Sequence, residues 1–391
     1  MLLAGFVACL LVGALASPAP MDSAVTPPVH IQNDHPLIFF HGRWDTAPET
    51  WWSGSGFKIN VQDLSSLTLN LGPNTTFPVV ALGVSVDYQP FFSLNASAGA
   101  NVIPLALPHK RPGATTVVRI NAEMYFSSQM NLESIDLNAG AKLVPYKPSK
   151  IAFEFIGDSF STGYTTPDGI LNAWDFLIGE TFKAEETVVA QPGATLVDEF
   201  SFGNVHGMSF QFFQTEDTSY FYDPIHNFTT PWDFRRDVPE RTHIVVHIGC
   251  LLFFRQFQLT HLFALYFHSA NDASQSVDQA VFVNTYIDFL ARIRKLYPYQ
   301  PFFLFTPWGW PSPDGPNAFY YEGAYEEVLA ARQSLGDNNM FLVNTTGWVT
   351  YADVFPDNLH PSVEGHAKIA GLFQQWLENW GLHPLKEWSN P

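Results

Sequence analysis

Gly157-Asp-Ser-Phe-Ser-Thr-Gly-Tyr164 follows the apolar stretch Ile151 to Ile156 and puts a serine hydroxyl in a tight turn. The apolar stretch has the length of a buried strand, and Leu171 to Phe182 carries apolar residues at helical spacing, so Ser159 sits at a strand-to-helix corner. Such corners expose a side chain above a sheet. A hydroxyl is a poor nucleophile at neutral pH and needs a histidine base, a carboxylate to orient that base, and donors for the oxyanion. Asp357-Asn-Leu-His360-Pro361 supplies the first two on one loop. His360 could take the Ser159 proton, with Asp357 fixing its tautomer and stabilising the imidazolium. Taken singly, each residue has a plainer reading as a turn serine, a capping aspartate or a surface histidine. The pairing of Gly-Asp-Ser after a strand with Asp-x-x-His-Pro before a helix favours catalysis.

The elements that must hold these residues are legible in the same pass. Strands are expected over Ile151 to Ile156, Thr187 to Ala190, His243 to Ile248, Phe302 to Phe305 and Met340 to Val343. Helices are expected over Ala173 to Phe182, Val277 to Tyr297, Tyr320 to Leu335 and Pro361 to Trp380. Alternating strands and helices make a parallel sheet covered on both faces, with its site at the carboxyl ends of the strands. Before it, His35 to Tyr146 reads as short strands divided by turn residues, a small β-sandwich or jelly roll. Phe57 to Val61, Leu67 to Leu71, Val79 to Val86 and Thr115 to Ile120 are examples. The expected organisation is a signal peptide over 1–16, a linker over 17–34, the β unit over 35–147 and the α/β unit over 148–385.

At 391 residues, with 46% hydrophobic and 14% charged residues, the chain can build a large core and is not disordered. Its net charge of −18 disfavours nucleic acid and anionic membranes and suits an uncharged partner. Met1 to Ala16 is apolar and ends Ala14-Leu-Ala16, which predicts cleavage and secretion. Sequons at Asn74, Asn95, Asn227 and Asn344 agree with that. Cys9 and Cys250 are the two cysteines, so the mature chain is expected to hold no disulfide of its own. No metal-binding or phosphate-binding motif is present, and a monomer without metal or cofactor is expected.

The serine and histidine blocks resemble those of the SGNH hydrolases, also called GDSL esterases, over Ile151 to about Leu382. Gly42-Arg-Trp-Asp45, Trp52-Ser-Gly-Ser-Gly-Phe57 and Val84-Ser-Val-Asp87 look like the N-terminal jelly roll of carbohydrate esterase family 2. The resemblance implies an α/β fold, a three-layer parallel-sheet hydrolase domain preceded by a small jelly roll. It also implies a serine esterase that removes O-acetyl groups from an acetylated polysaccharide or oligosaccharide. The family's oxyanion donors map to the Ser159 N–H, Gly193 of Gln191-Pro-Gly-Ala194, and an asparagine directly after the third strand. Two other readings stay open: a lipase or thioesterase on longer acyl esters, and a carbohydrate-binding protein without catalysis.

The third block departs from the family pattern. His243 to Gly249 is followed by Cys250 to Ser269 and only then by Ala270-Asn271-Asp272. Removing 250–269 restores Gly-Ala-Asn-Asp and makes Asn271 the third donor, ahead of a capping-box pattern, Ser276-Val-Asp-Gln279. We read 250–269 as the product of a translated intron, a whole number of codons long. A genuine insertion is the alternative: its closure costs only about 2–3 kcal/mol, but its many aromatic side chains would need burial beside the site. In that case it would be a lipid-facing lid. Trp308 and Trp348 follow the last two strands and are candidates for stacking on sugar, with core packing as the plainer reading. Trp44, Trp51 and Trp52 carry the same ambiguity.

Overall fold

The computed structural model describes residues 27–105, 111–123, 128–216, 226, 228–249, 271–313, 315–354, 356 and 359–390. The expected signal peptide, Asn227, the segment 250–269 and Asp357 lie outside the described residues.

The N-terminal unit is two antiparallel sheets packed on each other. One runs in the order Lys142–Val144, Gly56–Gln62, Thr115–Ala122, Val80–Val86, Phe92–Ala96, with Phe39–His41 also paired to Gly56–Gln62. The other runs Val29–Gln32, Met130–Leu137, Leu67–Leu71, Gly99–Val102, with Glu49–Thr50 also paired to Met130–Leu137. Period-two alternation makes the core: Leu67, Leu69 and Leu71 are buried between half-buried Thr68 and Asn70. They meet Phe57, Ile59, Leu82, Val84 and Val118 of the facing sheet in one cluster. Trp44, Trp51 and Trp52 are all buried, as core residues.

The linker expected over 17–34 ends too late. Val29–Gln32 pairs with Ser134 to Leu137 and buries Ile31. The alternation of Val29 and Ile31 outweighs the prolines and aspartate around it.

The second unit is a five-stranded parallel sheet in the order Glu185–Ala190, Ala152–Gly157, His243–His247, Phe302–Phe305, Met340–Val343. Odd and even positions part company. Phe153, Phe155, Val188, Val245, Phe303 and Phe305 join Trp174, Phe176, Ile369 and Phe373 in one cluster. Ile156, Val189, Ile244, Val246, Phe302 and Leu304 join Phe282, Phe289 and Val328 in another. Helices Trp174–Phe182 and Val363–Trp380 therefore cover one face, and Gln279–Leu296 and Ala324–Ser334 the other, giving three layers. Helix Gln279–Leu296 opens on Asp278, whose side chain accepts from the Ala280 N–H, and not on a box from Ser276, which is left-handed at φ 62°. Among the described residues, no helix is long and apolar enough to cross a membrane.

Three buried cations of the first unit reach three carboxylates of the second. Lys58 Nζ lies 2.6 Å from Glu185 Oε2, Arg119 Nη1 2.5 Å from Glu180 Oε1, and Arg43 Nη2 3.8 Å from Glu154 Oε1. The C-terminal tail adds a strap. Trp388 stacks on Tyr88 at 4.3 Å, and Asn390 bonds to Asn60 and to the Lys147 backbone. Burial opposes charge on Glu185, yet Lys58 and the hydrogen bonds from Ser149 and Tyr146 hold its carboxyl below the usual range. Removing one partner of such a pair strands a buried charge, whereas removing both is far milder. Lys58→Met is expected to lower unfolding stability by about 3–5 kcal/mol. Adding Glu185→Gln should restore most of it, read from urea midpoints.

Candidate active site

Three neighbouring strands of the parallel sheet end in register. Gly157 pairs with Ala190 on one side and His247 on the other. The turns that follow, carrying Ser159, Gly193 and Gly249, therefore leave one edge of the sheet side by side, at the roughly 4.8 Å spacing of paired strands. A Cβ on Gly157 would lie 2.3 Å from Ser161 Oγ, so glycine is what lets the Ser159 turn close. Within that turn Asp158 Oδ1 accepts from the Phe160 N–H, and the Tyr164 N–H donates to Ser159 O.

Ser159 Oγ lies 3.0 Å from His360 Nε2, across 201 residues of sequence. Both side chains are buried. The hydroxyl can donate to the imidazole, the first requirement for activating serine. His360 sits between Tyr164, edge to face at 4.8 Å, and Phe160, at 5.4 Å. Its loop is held on both sides. The turn Tyr351–Val354 accepts the Ser362 N–H at Asp353 O, and Lys368 Nζ reaches Asp353 Oδ2 at 2.6 Å. Ser362 caps the last helix by accepting from Gly365 N–H, so Pro361 stands just before the helix, which begins at Val363.

His366 and His247, which the motifs did not single out, lie beneath this pair. Burial lowers both to about 3, His366 being pushed further by His360 and His247 by His366, so both are neutral. His366 Nδ1 accepts the Trp174 N–H at 3.3 Å, tying the last helix to the helix after the nucleophile.

Gly193 has φ 80°, and a Cβ there would lie 2.5 Å from Phe202 Cβ, so the turn admits only glycine. Asn271 opens the short helix Asn271–Ser274, and its Nδ2 donates to Ala194 O at 2.7 Å. The structure thus brings Asn271 to the loop that carries Gly193, and its amide has a second N–H to offer. Asp272, another residue the sequence reading left without a role, accepts the Leu196 and Val197 N–H groups at 2.7 and 2.9 Å. Burial raises its carboxyl to about 7 against the pull of those two bonds.

Trp308 does not face solvent. It is 2% exposed and packs at 5.0 Å on Phe160 and 4.3 Å on His247, so its faces are not open to sugar. Trp348 is half-buried and lies edge to face with Phe305 at 5.7 Å. Core packing is the observed state of the first and half of the second. Among the described residues, no group of histidine, cysteine and carboxylate side chains could hold a metal ion.

No family model matches the sequence, and no curated protein matches it. Solved structures do. A family two carbohydrate esterase from Cellvibrio japonicus superposes with a TM-score of 0.66 at 17% identity, covering 90% of this chain and 98% of that one. One from Clostridium thermocellum, in complex with cellohexaose, gives 0.63 at 19% identity, covering 88% and 98%. The acetyl xylan esterase Est2A from Butyrivibrio proteoclasticus gives 0.65 at 16%, covering 91% and 99%. The chain has the fold of the family two carbohydrate esterases. The likeness runs through both units, so the antiparallel sheets belong to the shared architecture together with the parallel one.

An amide in place of the Asp272 carboxyl keeps one good acceptor and loses the other, which frees part of the loop behind Gly193. Asp272→Asn is expected to lower kcat about tenfold with KM little changed, in keeping with a loosened but present oxyanion donor. The pH dependence follows from the raised carboxyl. Its stabilising contribution is complete below the unfolded value near 4 and is lost as pH rises through about 7. The melting temperature of the variant should therefore fall less steeply than that of the wild type between pH 5 and 8.

Proposed function

We propose that the protein is a secreted serine esterase that removes O-acetyl groups from a neutral polysaccharide such as xylan. The observation that carries the reading is the 3.0 Å contact from Ser159 Oγ to His360 Nε2 at the carboxyl edge of the parallel sheet. Ser159 attacks the ester carbonyl while His360 takes its proton, and His360 returns the proton to the departing sugar hydroxyl. Water then attacks the acetyl-serine, again through His360, releasing acetate and restoring the serine. The tetrahedral oxyanion is met by the Ser159 and Gly193 N–H groups and by Asn271 Nδ2. Asp357 is assigned the orientation of His360.

The cellohexaose bound to the Clostridium thermocellum enzyme and the acetyl xylan esterase activity in the name of Est2A support a sugar ester as substrate. The strong net negative charge supports an uncharged one. In the same reading the antiparallel unit is a jelly roll, and 250–269 is dispensable.

Acetate release from acetylated xylo-oligosaccharide tests the assignment. Ser159→Ala should abolish release while the protein melts cooperatively, and unchanged turnover would sink the mechanism. Asn271→Ala should lower kcat by roughly a hundred- to a thousand-fold, as loss of one oxyanion donor does. Protein lacking 250–269 is expected to fold and to release acetate at least as fast as the full chain. A folded deletion variant without activity would make the segment part of the working site.

A further inference from the structure

A second cleft lies where the antiparallel unit meets the segment leaving the catalytic turn. Its volume is about 270 Å³, and Val79, Ala81, Asn95, Glu123, Pro167 and Gly169 are among its walls. Strand pairing builds one side: Ala81 sits opposite Asn95 of the edge strand Phe92–Ala96, and the Glu123 N–H donates to Ala81 O. The other side is Pro167 to Gly169, eight to ten residues after Ser159.

The polar group at the cleft has a defined character. Ser93 Oγ lies 2.7 Å from Glu123 Oε1 and 3.1 Å from Asp168 Oδ1. One hydroxyl has one proton, so both contacts are hydrogen bonds only when one carboxyl carries a proton of its own. Glu123 is that group: it is only 5% exposed, and burial raises it to about 7. That proton is directed at Ser93 Oγ, so toward the cleft Glu123 offers an acceptor oxygen, and with the Asn95 amide beside it the wall suits hydroxyl groups. Val79, Ala81 and Pro167 supply apolar surface for the face of a ring. The lining, which also includes Ser128, is thus mixed polar and apolar, as a sugar ring with hydroxyls at its edge and C–H groups on its faces requires.

The cleft is also close to the chemistry. The Tyr164 N–H lies 3.3 Å from Ser159 O, and the three residues on to Pro167 span at most ~11 Å. Tyr164 itself touches His360. The wall formed by Pro167 is thus about 15 Å or less from the nucleophile's backbone, within reach of a short run of linked sugars.

We propose that this cleft is an accessory subsite for a neutral sugar ring, a further unit of the polysaccharide whose acetylated unit sits at Ser159. The inference rests on the esterase reading and assigns the antiparallel unit a share in binding substrate.

Val79 is 42% exposed, so Val79→Trp can fill the cleft without entering the core. Asn95 begins an Asn-Ala-Ser sequon, so the protein is first freed of N-glycan. Val79→Trp should raise KM for acetylated xylohexaose about tenfold and leave kcat and KM for p-nitrophenyl acetate unchanged. Asn95→Ala should shift KM in the same direction by a smaller factor. An unchanged hexaose KM in a folded Val79→Trp protein, or an equal loss on p-nitrophenyl acetate, would overturn the subsite. Failure of the wild type to release acetate from any acetylated oligosaccharide would instead overturn the esterase reading. In that event titration of xylohexaose into Ser159→Ala, with and without Val79→Trp, decides the subsite. Binding weakened by the tryptophan supports it, and equal or absent binding rejects it.

Discussion

The site depends on three parallel strands ending in register at Ala190, Gly157 and His247. Because the strands are hydrogen-bonded neighbours, the turns after them cannot slide independently. The nucleophile turn is flanked by the Gly193 turn on one side and by Gly249 on the other. What remains is to aim the side chains, and the structure does this with local bonds. Asn271 and Asp272 hold Ala194, Leu196 and Val197, while Asp353 and Ser362 hold the loop that carries His360.

The antiparallel unit constrains the same strands from outside. Glu154 lies on the nucleophile strand and Glu185 begins the strand beside it, and their carboxylates face Arg43 and Lys58 of the other unit. Arg43 is further enclosed by Trp52, Phe212, Trp232 and Phe234, at 4.8 to 5.6 Å from its guanidinium carbon, and donates to Gln214 O at 3.0 Å. Arg241 completes the environment of Glu154 with a bond of 2.8 Å. Separating the units would break the Lys58–Glu185 and Arg43–Glu154 pairs, while Glu154 would keep Arg241. Two units joined in this way act as one support for the catalytic edge.

Much of this was legible in the sequence. Leu67–Leu71, Phe302–Phe305 and Met340–Val343 were read to the residue, because alternation or a short apolar run bounded by turn residues leaves little ambiguity. Ser159 and His360 stood out by a strand-turn-helix context and a helix-entering loop, and the structure brings the two side chains into contact. The supporting residues did not stand out. His366 matters through a bond to Trp174, 192 positions away, and the Lys58 and Arg119 pairings span 127 and 61 positions. Nothing in local periodicity records a partner on another element. Asp272 was visible as part of a motif, but its grip on Leu196 and Val197 exists only once the two loops have met.

Trp308 shows how a correct location can carry the wrong role. Its place after the fourth strand put it at the catalytic edge, and it is there, but turned inward against Phe160 and His247. With Trp174 edge to face on His247 at 5.8 Å, these rings form an apolar floor beneath Ser159 and His360. Such a floor keeps water from competing for the Ser159 hydroxyl and lowers the local dielectric. Both effects strengthen a hydrogen bond aimed at a developing charge. Burial in this floor keeps His247 and His366 neutral, because a low-dielectric interior disfavours an imidazolium. In the proposed mechanism, proton transfer then falls to His360, the imidazole that touches Ser159.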